Sequence, residues 1–122
     1  SARDADISIL TAEDPRTESL DEILEMMAAG CRKYDKKEEV DFWRIRDRGK
    51  AIYFALSLAA TEDLVLICGK GHEQSMCFGK TEFPWDDREA TRAALSSLRN
   101  NRSMIDLGLP TFADSENPSS ML

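Results

Sequence analysis

Leu64-Val65-Leu66-Ile67-Cys68 is an unbroken apolar run, followed at once by Gly69-Lys70-Gly71-His72-Glu73. A short β-prone run without polar interruption reads as a strand buried on both faces, which is the habit of central strands in parallel sheets. The glycine-rich stretch behind it then reads as the loop at that strand's C-terminal end. Two further runs precede it. Ile7-Ser8-Ile9-Leu10-Thr11 ends in Ala12-Glu13-Asp14-Pro15-Arg16, where proline discourages continuation of a strand. Val40-Asp41-Phe42-Trp43-Arg44-Ile45 leads into Arg46-Asp47-Arg48, although Trp43 and Ile45 fall out of phase with Val40.

Helical patterns separate these runs. Ser19 is placed to cap a helix in which Leu20, Ile23, Leu24 and Met27 recur at helical spacing, with Gly30 as its expected stop. A second helix is expected over residues 49–60, with Ile52, Leu56 and Ala59 on one face. After the glycine-rich loop, Met76-Cys77-Phe78 and Thr81-Glu82-Phe83 flank Gly79-Lys80 as a hairpin. Asp86 to Glu89 offers a capping pattern at the head of a helix running toward Leu98. The order strand, helix, strand, helix, strand, hairpin, helix predicts an α/β fold with a mostly parallel sheet, helices on both faces and a hairpin near the end. Phe42, Trp43, Met76 and Trp85 are read as core.

The chain has 122 residues, 42% apolar and 32% charged. That is enough for one domain with one core. The domain is assigned to residues 1–109. Residues 110–122, rich in Pro, Ser, Asn and Asp, are expected to be a disordered tail. The early entry into an apolar run is read as the start of a piece of something longer, lacking the domain's first strands. A formal charge of -7 opposes nucleic acid and anionic membrane surfaces over most of the exterior. Cys31, Cys68 and Cys77 are odd in number and lack CxxC spacing, which supports neither a disulfide framework nor a zinc site and fits a reducing cytoplasm. No apolar run is long enough to cross a bilayer.

Parallel strands set their C-terminal ends on one edge, where ligands commonly bind. The three loops there carry Glu13, Asp14 and Arg16; Arg46, Asp47 and Arg48; and Lys70, His72 and Glu73. Mixed charge of this kind suits a zwitterion, because arginine grips a carboxylate bidentately while carboxylates accept from an ammonium. The plainer alternative is a set of solvated loops. Gly69 to Glu73 lets backbone N–H groups approach an anion, with Lys70 adding charge, or it is simply a tight turn. It is not a phosphate loop, since the GxxxxGK[ST] spacing is absent. His72 has no Ser or Cys nucleophile at a recognisable spacing, so no catalytic residue is assigned. Asp86 and Asp87 sit where helix caps belong, so no metal site is predicted.

Taken in order, Glu13-Asp14-Pro15-Arg16, Asp47-Arg48 with Ala51-Ile52, Gly69-Lys70-Gly71-His72-Glu73 and Asp86-Asp87-Arg88-Glu89 resemble the C-terminal domain of UDP-N-acetylmuramoyl-tripeptide synthetases, the MurE-type Mur ligases. The likeness spans about residues 5–98. It implies a Rossmann-like domain of a three-domain peptidoglycan ligase. That enzyme uses ATP and Mg2+, bound mainly outside this chain, to activate UDP-MurNAc-L-Ala-D-Glu for attack by a diamino acid's amine. The C-terminal domain would hold the diamino acid and close over the central ATP-binding domain. By resemblance, Arg16 contacts a diaminopimelate carboxylate, Gly69 and Glu73 its distal end, and Lys70, His72 and Arg48 give support. Two departures stand out: Glu13 replaces an Asp, and Asp14 replaces an Asn that contacts the ligand. A carboxylate in place of an amide removes two donors and favours an ammonium nearby. Meso-diaminopimelate is the expected amino acid, with lysine or ornithine as alternatives. This chain by itself is expected to show no ATPase or ligase activity. Competing readings are a folylpolyglutamate-type or other Mur-related ligase domain, and a Mur-like interaction module without catalysis.

Overall fold

The computed structural model describes residues 6–70 and 73–113. In chain order these form β1 (Ser8–Leu10), α1 (Leu20–Arg32), β2 (Phe42–Arg44), α2 (Arg48–Leu58), β3 (Ser75–Phe78), β4 (Thr81–Pro84) and α3 (Asp87–Arg99). The α/β reading therefore holds. Parallel pairing of β1 with β2, registering Ile9 against Trp43, makes the first half a β-α-β unit. The hairpin β3–β4 turns at Gly79, whose φ is 64°. Such a turn demands that left-handed conformation.

Helix α1 starts where the cap predicts, with Ser19 Oγ accepting from the Glu22 N–H at 3.3 Å. This is the usual service of an N-cap serine to an otherwise unpaired backbone donor. The buried stripe of α1 is Leu20, Leu24, Ala28 and Cys31, while Met27 faces out. Gly30 does not stop it. The helix runs on to Arg32. Tertiary burial of Cys31 outweighs the roughly 1 kcal/mol that a helical glycine costs. Phe42 and Trp43 are both buried, so β2 is covered on both faces, which explains its failure to alternate. Trp43 meets Phe54 edge-on with ring centroids 5.2 Å apart. Phe42, Met76 and Trp85 join the main core, as read from the sequence.

The expected third strand is absent. Residues 64–68 form neither helix nor strand, and Leu64 and Leu66 are 90% and 79% exposed. Among the described residues the two sheets have two strands each, one parallel and one antiparallel, in place of a larger parallel sheet. The physical reason is pairing. A strand needs a neighbour for its backbone N–H and C=O groups, and residues 64–68 pair with neither sheet. Ile67 nonetheless leans on the core while Leu64 and Leu66 face outward, so the run is covered on one side only.

After α3 the chain returns across α2. Tyr53 Oη donates to the Arg102 carbonyl at 2.8 Å, and Met104 and Leu109 enter the main core. Packing continues past Leu109: Thr111 is buried, its hydroxyl donating to Asp47 Oδ1 at 2.8 Å. Lys50 Nζ donates to the Phe112 carbonyl and lies 4.1 Å from that ring's centroid. An ammonium over a ring face is drawn to its negative quadrupole. Residues 114–122, most of the expected tail, lie outside the described residues. No helix among the described residues is long and apolar enough to cross a membrane.

Candidate functional site

The loop after β1 is fixed to the hairpin rather than free in solvent. The Arg16 N–H donates to the Cys77 carbonyl at 2.9 Å, the Gly79 N–H donates to the Arg16 carbonyl, and Asp14 Oδ1 accepts from the Cys77 N–H. These bonds hold Arg16 at a φ of 54°. A left-handed backbone is uncommon outside glycine and asparagine and is often retained at functional positions. The strand β3 is thus a template that aims Arg16. Its side chain is 65% exposed and lies 3.1 Å from Asp14 Oδ2. Asp14 therefore has two jobs within the chain, one oxygen accepting from a backbone N–H and the other facing the Arg16 guanidinium.

Glu13 and Gly69 converge. Gly69 has a φ of 103°, and a Cβ built there would lie 3.3 Å from the Glu13 carboxyl group. The backbone angle calls for glycine, while the approach to Glu13 is close but made to a movable side chain. Glu13 itself is exposed and has no hydrogen-bond or ion-pair partner among the described residues. Beyond Gly69, Lys70 is buried and its Nζ lies 3.0 Å from Glu73 Oε2, whose side chain is 55% exposed. Lys70 was expected to lend its charge to an anion, and in the structure that charge faces Glu73. A buried ammonium already paired with a carboxylate is poorly placed to meet one from solvent. His72 and Gly71 lie outside the described residues.

Arg48 sits behind both loops. Its Nε and Nη2 reach Asp87 Oδ1 and Oδ2, each at 2.8 Å. Two parallel bonds of this kind make a fork-to-fork pair, stronger and more directional than a single contact. Nη1 donates to the Ala12 carbonyl at 3.1 Å and Nη2 to the Cys68 carbonyl at 3.0 Å. Trp85 Nε1 also donates to Asp87 Oδ1, at 2.7 Å. Burial raises the Asp87 carboxyl pKa, but the hydrogen bonds from Arg48 and Trp85 and the nearby charges of Arg48 and Lys70 bring it below the ordinary value. Asp86, by contrast, caps α3 by accepting from the Arg88 N–H at 2.9 Å, as its sequence position predicts. Sequence reasoning read Asp87 as a cap and Trp85 as core; the pairing of Asp87 with Arg48 and its bond from Trp85 were missed, because two adjacent acids at a helix start both look like caps. The caps Asp47 and Asp86 open α2 and α3, so these helices begin beside the loops.

Glu13, Asp14, Arg16, Gly69, Lys70, Glu73 and Arg48 are thus linked through direct contacts or through the loops they belong to. The described part presents Arg16, Glu13 and Glu73 outward and keeps Lys70 and Arg48 inside. No group of three or more His, Cys, Asp or Glu that could hold a metal ion occurs among the described residues.

Known proteins share much of this sequence. The chain is 46% identical over 91 residues to a UDP-N-acetylmuramyl-tripeptide synthetase of Treponema denticola, covering 75% of this chain and 17% of that protein. It is 45% identical over 100 residues to the Treponema pallidum protein of the same name, covering 79% and 18%. It is 37% identical over 94 residues to a UDP-N-acetylmuramoyl-L-alanyl-D-glutamate--2,6-diaminopimelate ligase of Clostridioides difficile, covering 77% and 19%. The chain spans less than a fifth of the length of these curated relatives. The Mur ligase, glutamate ligase domain model matches residues 1–71, more than half of the chain and the part that contains β1, β2, Arg16, Arg48 and Gly69, and the chain belongs to that family.

Proposed function

We propose that this chain is the amino-acid-holding part of an ATP-dependent peptidoglycan ligase, one that joins a diamino acid, meso-diaminopimelate, to UDP-MurNAc-L-Ala-D-Glu in the cytoplasm. The observation that carries the proposal is the exposed Arg16 guanidinium, aimed by β3 and set in a loop whose Glu13 carboxylate has no partner among the described residues. A guanidinium near an open carboxylate complements a zwitterion, the arginine taking a carboxylate and Glu13 taking an ammonium, while Glu73 already holds Lys70 through one oxygen. Asp14 is already engaged with Arg16 and the Cys77 N–H, so a substrate carboxylate would take over part of the Arg16 fork rather than meet a bare aspartate.

ATP and Mg2+ are assigned mainly to the central domain of the full-length protein, since no group among the described residues is set to hold a metal ion. Lys70 is buried against Glu73 and the phosphate-loop spacing is missing, which fits the same assignment. What this domain contributes is positioning: an amine held in attack geometry gains from prepaid orientation, and closure over the central domain keeps water from an acyl phosphate. The larger parallel sheet belongs to the same proposal.

The test is amino-acid-dependent phosphate release by the full-length protein, with diaminopimelate, lysine and ornithine compared side by side. Diaminopimelate is expected to be used best, and Arg16→Ala is expected to weaken its use while leaving the fold intact. Equal use of diaminopimelate by wild type and variant would remove Arg16 from the site. No turnover with any of the three would favour an interaction module.

A further inference from the structure

We infer that Arg48 is the positioning residue of the site: it sets the spacing of the two amino-acid-holding loops without touching the amino acid. Its side chain is 4% exposed, too buried to meet a substrate directly. The two carbonyls it binds belong to Ala12 and Cys68, the residues immediately before Glu13 and Gly69. One rigid guanidinium therefore ties the roots of both loops, and those loops meet where Gly69 lies against the Glu13 carboxyl group. The remaining face of the fork is held by Asp87, which Trp85 fixes in turn, so loop spacing is referred to the end of β4 and the start of α3. Lysine cannot replace this arrangement. A single ammonium lacks a planar fork reaching one carboxylate and two carbonyls in fixed directions.

An apolar pair would pack here without desolvating two charges, yet it could not hold two loop carbonyls at a set distance. The inference rests on the proposed function only for the word substrate, since the loop geometry is measurable without turnover. The experiment uses the full-length protein and two variants, Arg48→Lys and the neutralised pair Arg48→Met with Asp87→Asn. The double variant leaves no unpaired buried charge and keeps an acceptor for Trp85, so it separates folding stability from loop spacing.

Amide hydrogen exchange is expected to rise on the order of tenfold or more at Arg16, Glu73 and Cys77, whose N–H groups bond to the Cys77 carbonyl, the Lys70 carbonyl and Asp14 Oδ1, in both variants, with α1 unchanged. Unchanged exchange at these amides, or an equal rise throughout α1, overturns the inference. In turnover, the KM for the diamino acid is expected to rise on the order of tenfold to a hundredfold in the double variant even where its melting temperature is close to wild type. A KM that recovers together with the melting temperature would make Arg48 a stabilising residue only. Should the wild-type protein use no diamino acid, the proposed function fails while the exchange experiment still decides the role of Arg48.

Discussion

Arg16 with Asp14 and Arg48 with Asp87 are the same chemical pair, set in one cluster of loops and exposed to opposite degrees. The first has side-chain exposures of 65% and 24%, the second 4% and 13%. Exposure decides what each can do. An ion pair in water is worth about 0–1 kcal/mol, so a ligand carboxylate can displace Asp14 from Arg16 at little cost. Breaking a buried pair leaves an uncompensated charge inside the protein, so Arg48 and Asp87 are held in place. On the proposed function, an exchangeable contact is thus set apart from a fixed one by exposure alone, with identical side chains.

The largest expected effect breaks the fixed pair. Arg48→Met leaves Asp87 buried and unpaired and is expected to lower unfolding free energy by about 3–5 kcal/mol in urea titration. A loss below about 1 kcal/mol would show that water reaches this pair as readily as the other. The same contrast has a pH signature. The Asp87 pKa is lowered in the fold from the ordinary value of 3.8. Its contribution is therefore fully present above the unfolded value and is lost as pH falls through the folded one. Wild type is expected to lose more stability on acidification than the Arg48→Met, Asp87→Asn variant, read as melting temperature against pH.

Next comes the exchangeable pair. Arg16→Ala is expected to weaken diamino-acid binding by about 1.5–3 kcal/mol, roughly ten- to more than a hundredfold, as measured by calorimetry on the full-length protein. Its effect on stability is expected to stay within about 0.5 kcal/mol. A large stability loss with unchanged binding would reverse the roles assigned to the two arginines. The smallest effect lies at the rim of the fixed region. Thr111→Val removes the hydroxyl that donates to Asp47. This substitution is expected to cost about 1 kcal/mol in urea titration, without altering amino-acid preference.

How much of this the sequence disclosed depends on the range of the interaction. Local rules worked where they are strong: Ser19 and Asp86 cap helices as expected, and the Gly79 turn makes the expected hairpin, although the Asp47 cap of α2 went unread. The motif residues Glu13, Arg16, Gly69 and Glu73 mark loops that the fold gathers, though their binding roles await the measurements above. Long-range facts were hidden. Nothing near Asp87 in sequence says that its partner is Arg48, and nothing near Thr111 says that it bonds Asp47 across the chain. Leu64 to Cys68 failed for another reason. An apolar run reports that it wants neighbours, not whether this stretch of chain supplies them.

That run also has a practical consequence for anyone handling the chain in isolation. Leu64-Val65-Leu66-Ile67-Cys68 combines β-prone apolar residues with solvent exposure and carries no charge or proline between Asp63 and Gly69. Segments of that kind seed self-association through strand-to-strand pairing. This one also bears an exposed thiol at Cys68. The purified chain should be stickiest there. A lysine at Leu66, on the side that nothing covers, would act as a gatekeeper against aggregation while leaving Ile67 on the core and Arg48 at the Cys68 carbonyl undisturbed.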